Sequence, residues 1–267
     1  MNEDIEITLR SLRSRNLVGV YAETPEDAKR KVLESIPDEA VVGIGDSTTV
    51  AQLGVKEELR RRGTRVLDGF DRRTKYIDSD DYGELHNKVV EASTLSDLFL
   101  TGTNAVTQDG RLVNVDAVGN RVAGMFWGHP KSIIVVGRNK IVRNLDEAFD
   151  RIRNVIAPSH MRLRSLELGG RRIETPCVKT GECADCRAKD RMCNIFTIIE
   201  GKPLRTEMEV LVVDEDLGLG WDRSWPKERI ARIVENYKRC VWIPPADLTK
   251  AQSERREDRS TSFGKNL

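Results

Sequence analysis

The chain has 267 residues, which suits one large domain or a domain with an appendage. Its 44 Lys and Arg balance 43 Asp and Glu for a net charge of +1, which disfavours a nucleic-acid surface. No apolar run approaches the roughly 18 residues of a membrane span.

The spacing of apolar residues predicts a helix over 3–16, with Ile5, Leu9 and Leu12 on related faces. A short apolar piece, Leu17 to Tyr21, follows. Thr24 caps the next helix, and Pro25 sits where its missing N–H costs nothing. Ala28, Val32 and Ile36 keep helical spacing until Pro37. Ala40 to Ile44 reads as a buried strand, and the turn after it leads to a helix through Val50, Leu53 and Leu59 that Gly54 interrupts. Val66-Leu67 is a short strand, 80–92 a helix and 97–100 a strand. Asp109-Gly110 lies between two strand-like runs, which signals a hairpin. Ser132 to Val136 is an apolar strand, and Leu145, Phe149, Ile152 and Ile156 mark a helix running up to Pro158. Glu209 to Asp214 is another strand. A helix from Trp225-Pro226 carries Ile230, Ile233, Val234 and Tyr237, and Val241 to Ile243 reads as a final strand.

Apolar strands alternating with helices predict an α/β fold, a largely parallel sheet flanked by helices. The expected organisation is an α/β domain over 1–170, a cysteine-rich segment over 171–200, a closing strand–helix–strand unit over 201–245 and a mobile charged tail over 246–267. The acidic start, Met1 to Ile7, lacks a signal-peptide core, so a reducing cytoplasm is the expected compartment.

Four of the five cysteines, Cys177, Cys183, Cys186 and Cys193, fall within 17 residues in the pattern C-x5-C-x2-C-x6-C. A Cys-x-x-Cys pair bites a metal from two sides, and the outer cysteines close the shell if the loop wraps round. The intervening residues are small or charged and build no core of their own, so a bound metal would supply what packing does not. Disulfides fit a cytoplasmic chain poorly, and a redox Cys-x-x-Cys would leave Cys177 and Cys193 idle. A single compact all-sulfur loop suits an iron–sulfur cluster of the 4Fe-4S kind, with zinc as the alternative. Cys240, beside an apolar run, reads as core.

Two further stretches carry polar chemistry. In Gly43-Ile44-Gly45-Asp46-Ser47-Thr48-Thr49 a strand enters a glycine turn and leaves as a helix, which aims N–H and hydroxyl donors at one point. The turn suits a phosphate or carboxylate; as plain turn chemistry, Asp46 or Ser47 is a cap. It is neither a Walker A loop nor a dinucleotide fingerprint. From Thr101 to Ala123, Gly102, Asn104, Asn114 and Asn120 are candidates to orient a small ligand, with Asn120 alternatively a helix cap. Among the histidines, His129 precedes a strand and reads more readily as a satisfied loop residue, and His86 is expected on a helix surface. Lys131 faces an anion or solvent. Arg60 to Arg62, Arg65, Arg162, Arg164, Arg171 and Arg172 have acidic neighbours and read as solvated faces.

These residues together carry a resemblance. Gly43 to Thr49, Thr101-Gly102-Thr103-Asn104-Ala105 with Asp109-Gly110 and Val113-Asn114, and Gly119 to Ala123 resemble the LUD (lactate-utilisation) domain family over residues 1 to about 170. The cysteine segment, with Arg191 before Cys193-Asn194, is similar to that of a subgroup with a cysteine-rich extension. The resemblance implies a fold like that of ribose-5-phosphate isomerase, glucosamine-phosphate deaminase and the CoA-transferases. It also implies work beside iron–sulfur partners in oxidising lactate to pyruvate. The eight-cysteine ferredoxin pattern of some lactate-utilisation partners is absent.

The expected function is therefore binding of an iron–sulfur cluster and a small anionic metabolite in redox or organic-acid metabolism. A redox partner protein and a homo-oligomer are compatible with it. The alternatives are an isomerase- or transferase-like enzyme with structural zinc, using Asp46, Asp109 or Asp116 as acid–base groups, and a non-catalytic binding or regulatory protein.

Overall fold

Apolar strands seek burial on both faces, and the chain supplies six that pair in parallel. The computed structural model describes residues 2–71, 82–169 and 173–243. The proposed tail, Arg171 and Arg172 lie outside these residues. The main sheet has the order β1 (Val18–Ala22), β10 (Glu207–Val213), β7 (Lys131–Gly137), β4 (Leu98–Gly102), β2 (Val42–Ile44) and β3 (Val66–Leu67), and every pairing is parallel. Together with its flanking helices this is an α/β architecture.

On one face Ile44, Leu100, Val135 and Leu211 pack under α2 (Pro25–Glu34), α3 (Thr48–Leu53) and α4 (Val55–Arg61). Thr24 caps α2 by accepting from the Asp27 N–H. Gly54 breaks α3 from α4 at φ +63, a left-handed conformation that favours glycine. On the other face Ile134, Val136, Val210 and Val212 meet α1 (Glu3–Ser14) and α6 (Asn120–Phe126). α5 (Tyr82–Ser93) runs beside β2 and β3.

A second sheet, less legible in the sequence, has the order β8 (Ile141–Val142), β5 (Ala105–Thr107), β6 (Leu112–Asp116) and β9 (Ile195–Ile199). The β5–β6 hairpin forms around Asp109-Gly110 as expected. β9, directly after the last clustered cysteine, pairs antiparallel with β6 and ties the cysteine lobe to the hairpin. A third apolar layer lies beneath α10 (Lys227–Cys240) and a long helical stretch. That stretch is α7 (Leu145–Arg151), a π-turn over Ile152–Ile156, α8 (Ala157–Arg162) and a second π-turn over Leu163–Glu167.

Several expectations are corrected. Pro158 does not end its helix, because it enters the first turn of α8 behind the π-turn, where its missing N–H is tolerated. Val241 to Ile243 form no strand; Val241 ends α10, and Trp242 is buried against aromatic side chains. Asn120 is not the cap of α6. The cap is Gly119, and Asp116 accepts from the N–H groups of Val118, Gly119 and Val122. His86 is buried, stacked on Trp242 and bonded through Nδ1 to the Gly69 carbonyl. No described helix is long and apolar enough to cross a membrane.

Candidate functional site

The carboxyl ends of β2, β4, β7 and β10 open into one cavity of about 1250 Å³. In open parallel sheets this end gathers ligand sites, because the turns leaving the strands converge there. Asp46, Ser47, Thr48 and Thr49 arrive from β2, Gly102 and Asn104 from β4, Lys140 from the turn after β7, and Gly218 from beyond β10.

Arg121 holds the wall together. Its guanidinium donates to the Gly102 and Val115 carbonyls and to the side-chain oxygens of Asn104 and Asn114. These bonds fix the hairpin against the end of β4. Asn114 is wholly buried, and its oxygen is spent on Arg121 and Thr103. Gly43 and Gly45 pack beneath the turn, against Ser93 and Thr101, while Asn120 lines the cavity. Ser47 caps α3, as one reading of the turn expects, by accepting from the Val50 N–H.

A chain of polar side chains crosses the cavity. Arg164 approaches Asp46 at 3.6 Å and His160 Nε2 at 3.0 Å. A guanidinium only donates, so Nε2 accepts and the His160 proton sits on Nδ1, donated to the Tyr237 hydroxyl. Thr48 bonds the same phenol. Burial, then the charges of Arg164 and Arg121, hold His160 neutral well below its ordinary range. Burial also raises the Asp46 carboxyl, outweighing Arg164, Lys56 and Arg121. The Asp46 side chain keeps 28% of its surface accessible, so the carboxyl still faces the cavity. Lys140 is pushed down to about 7 by burial and by Arg121. Two donors at the cavity, Arg164 Nε and Trp242 Nε1, have no partner among the described residues.

The cysteine lobe forms the rim. Cys177 lies on the short helix α9 (Pro176–Thr180), whose Val178 shares a small apolar cluster with Met161 of α8 and Ile173. All four clustered cysteines line the cavity and are free thiols. Donors support them: the Thr175 hydroxyl lies 3.2 Å from Cys177 Sγ, the Asp185 N–H 3.5 Å from Cys183 Sγ, and Arg191 Nη2 3.5 Å from Cys193 Sγ. Arg191 also donates to the Cys186 carbonyl. Burial first, then the other three cysteines, raise the Cys177 thiol. Among the described residues no group of three or more His, Cys, Asp or Glu is arranged to hold a metal ion. The donor set nonetheless suits a thiolate-bound metal: four sulfurs, no imidazole and N–H donors aimed at sulfur. Thiols that repel one another as thiolates need the metal's charge to draw them into a shell.

Other singled-out residues have structural work. His129 stacks on Phe99 with Nδ1 near the Thr94 carbonyl. Lys131 pairs with Glu209 at 2.9 Å. Arg60 pairs with Asp71, Arg61 with Glu58, and Arg162 with Glu167, so the arginine run builds no free basic patch among these residues. Sequence reading passed over Lys140, Arg121, His160, Arg164, Tyr237 and Trp242 as site residues. One signal was present: Arg138-Asn139-Lys140 follows the apolar run Ile133 to Val136 at a strand end, the position that faces the crevice.

A family model described as LUD domain matches residues 5–213. No curated protein matches the sequence. Among solved structures, the chain is similar to a DUF162 family protein from Deinococcus radiodurans, at 15% identity and a TM-score of 0.41, over 80% of this chain and 99% of that one. It is also similar to ribose 5 phosphate isomerase A from Neisseria gonorrhoeae, at 18% identity and a TM-score of 0.28, over 55% and 68% of the two chains.

Proposed function

The chain belongs to the LUD domain family, and on that premise we propose that it binds an iron–sulfur cluster beside a small anionic metabolite and works in redox or organic-acid, lactate-like metabolism. The observation that carries the reading is the shared cavity: the four thiols and the donor-rich turn after β2 line the same space. Cys177, Cys183, Cys186 and Cys193 would hold the cluster, which when bound supplies one-electron chemistry. Arg191 orients the lobe through the Cys186 and Cys193 carbonyls and places a positive charge beside sulfur. The ligand half of the reading draws on the unpartnered donors Arg164 Nε and Trp242 Nε1 and on the hydroxyls of Thr48 and Thr49. Thr180 and Arg187 of the lobe are exposed, which leaves room for a redox partner protein.

The test is metal analysis and absorption spectroscopy on protein purified without oxygen, for the native chain and for Cys183→Ser. About four irons per chain and a broad band near 400 nm, both lost in the variant, are expected. Stoichiometric zinc without colour would overturn the cluster. It would favour a second reading that Asp46 and Lys140 already support, in which two cavity groups with shifted proton affinities act on a carboxylated or phosphorylated metabolite beside structural zinc.

A further inference from the structure

We infer that Lys140 is the residue that anchors the anion, docking a carboxylate or comparable oxyanion on its ammonium, and that the ammonium draws its proton from solvent as the ligand enters. The inference rests on the anionic-ligand reading above and adds the residue and the proton.

Two lysines are buried among the described residues, and they differ in one respect. Lys56 pairs with Asp68 at 2.8 Å. Lys140, only 6% exposed, has no acid partner among the described residues. Its Nζ donates to the Thr49 hydroxyl at 2.8 Å and the Thr103 carbonyl at 2.9 Å, so the third N–H of an ammonium has no acceptor there. Its backbone is pinned on both sides. The Asn139 side chain donates to the Gly220 carbonyl and accepts from the Leu217 N–H, while Arg151 donates to the Asn139 and Ile141 carbonyls. Gly218 closes over the amine, and a Cβ there would lie 2.8 Å from Nζ. The side chain is thus built into place with a charge left unbalanced, which is costly unless a ligand supplies the counter-charge.

Three other charges of the cavity wall are engaged elsewhere. Arg121, the cation that bears on Lys140, spends its donors on the wall. Asp116 caps α6, and Asp46 lies against Arg164. Burial and Arg121 hold the free amine at about 7. Above that pH it is largely neutral, and an oxyanion in contact with it favours the protonated form, so binding takes up a proton.

The experiment is isothermal titration calorimetry of the holoprotein with sodium sulfate and with sodium pyruvate, in two buffers of different ionisation enthalpy. Neither probe titrates between about pH 6 and 9. The expected result at about pH 8 is uptake of close to one proton per anion, and affinity falling about tenfold per further pH unit. Lys140→Arg, whose guanidinium is always charged, binds without proton uptake. Lys140→Met loses at least about tenfold in affinity, along with the pH dependence. Wild-type binding with no proton exchange, or Lys140→Met binding as tightly as wild type, overturns this inference and leaves the anionic reading standing. A wild-type protein that binds neither probe across the pH range overturns both. The wild-type profile decides the matter even if a variant fails to fold.

Discussion

A buried amine without a counter-ion destabilises the fold that holds it, so replacing Lys140 by Met changes stability in a pH-dependent way. Lys140 drops from an ordinary 10.5 to about 7. At about 1.36 kcal/mol per unit, that amounts to about 5 kcal/mol between protonation states. Unfolded lysine keeps its proton up to about 10.5, whereas the native amine releases it near 7. Between those values the unfolded chain binds more protons, so native stability rises with pH. Below about 7 the full penalty is present, and above about 10.5 it is gone. Met removes the penalty but also two hydrogen bonds, leaving the Thr49 hydroxyl and Thr103 carbonyl short of a donor at about 1–2 kcal/mol each. At pH 10 about 1 kcal/mol of the penalty still remains, so the variant should be about 2 kcal/mol more stable than wild type near pH 6 and about 2 kcal/mol less stable near pH 10. The hydrogen-bond cost is common to both pH values, so the swing of about 4 kcal/mol reports the amine alone. Urea unfolding followed by tryptophan fluorescence, for both proteins at both pH values and without added anion, measures it. A stability difference that stays flat between pH 6 and pH 10 would refute the buried, unpaired amine.

Arg121→Lys keeps the charge but cannot reach four acceptors with one planar fork, so a loss of about 3 kcal/mol is expected by urea unfolding, against little change if Arg121 were a surface residue. Gly43→Ala puts a Cβ 2.0 Å from the Ser93 carbonyl oxygen, and the strand must shift; calorimetry should show Tm lower by about 10 °C, and an unchanged Tm would mean that the turn after β2 is looser than described. His86, His129 and His160 are all held neutral chiefly by burial. Unfolded histidine gains a proton below about 6.5, so acidification from pH 7 to 5 should cost up to about 2 kcal/mol per histidine, partly offset by the raised carboxyl of Asp46. Histidine ring signals that titrate near 6.5 in the native protein would contradict this.

The sequence was informative wherever a signal is local. The Thr24-Pro25 start of α2 depends on one side-chain bond and one missing N–H, both within a single turn. The Gly54 break and the Asp109-Gly110 hairpin likewise need only their own backbone. β9 was missed because Ile195 to Ile199 follows the cysteines directly, and it becomes a strand only by pairing with β6, about eighty residues earlier. Val241 to Ile243 has strand composition but pairs with neither sheet among the described residues. Its Trp242 is drawn instead to Phe70, His86 and Arg164.

The site was half visible for a related reason. Asp46 to Thr49 and the four cysteines are contiguous, and each stretch declares its chemistry by spacing. Lys140, Arg121, Arg164, His160 and Tyr237 come from separate elements, each a single polar residue in a chain where a third of all residues are charged. The stretch from Ala157 to Glu167 shows what spacing could not convey. Pro158 reads as a stop, yet the π-turns on either side carry the helix through. That continuation places His160 and Arg164, one turn apart, on the cavity, while Met161 between them packs against Val178 and Cys177 under the cysteine lobe. One helix therefore carries both the polar chain that meets Asp46 and the apolar footing of the thiols. Drawing the thiols around a metal would act on the turn that bears Arg164. The proposed ligand and cluster sites are next to each other because one segment supports both, and no periodicity count reveals it, since the Pro158 that appears to end the segment lies within it.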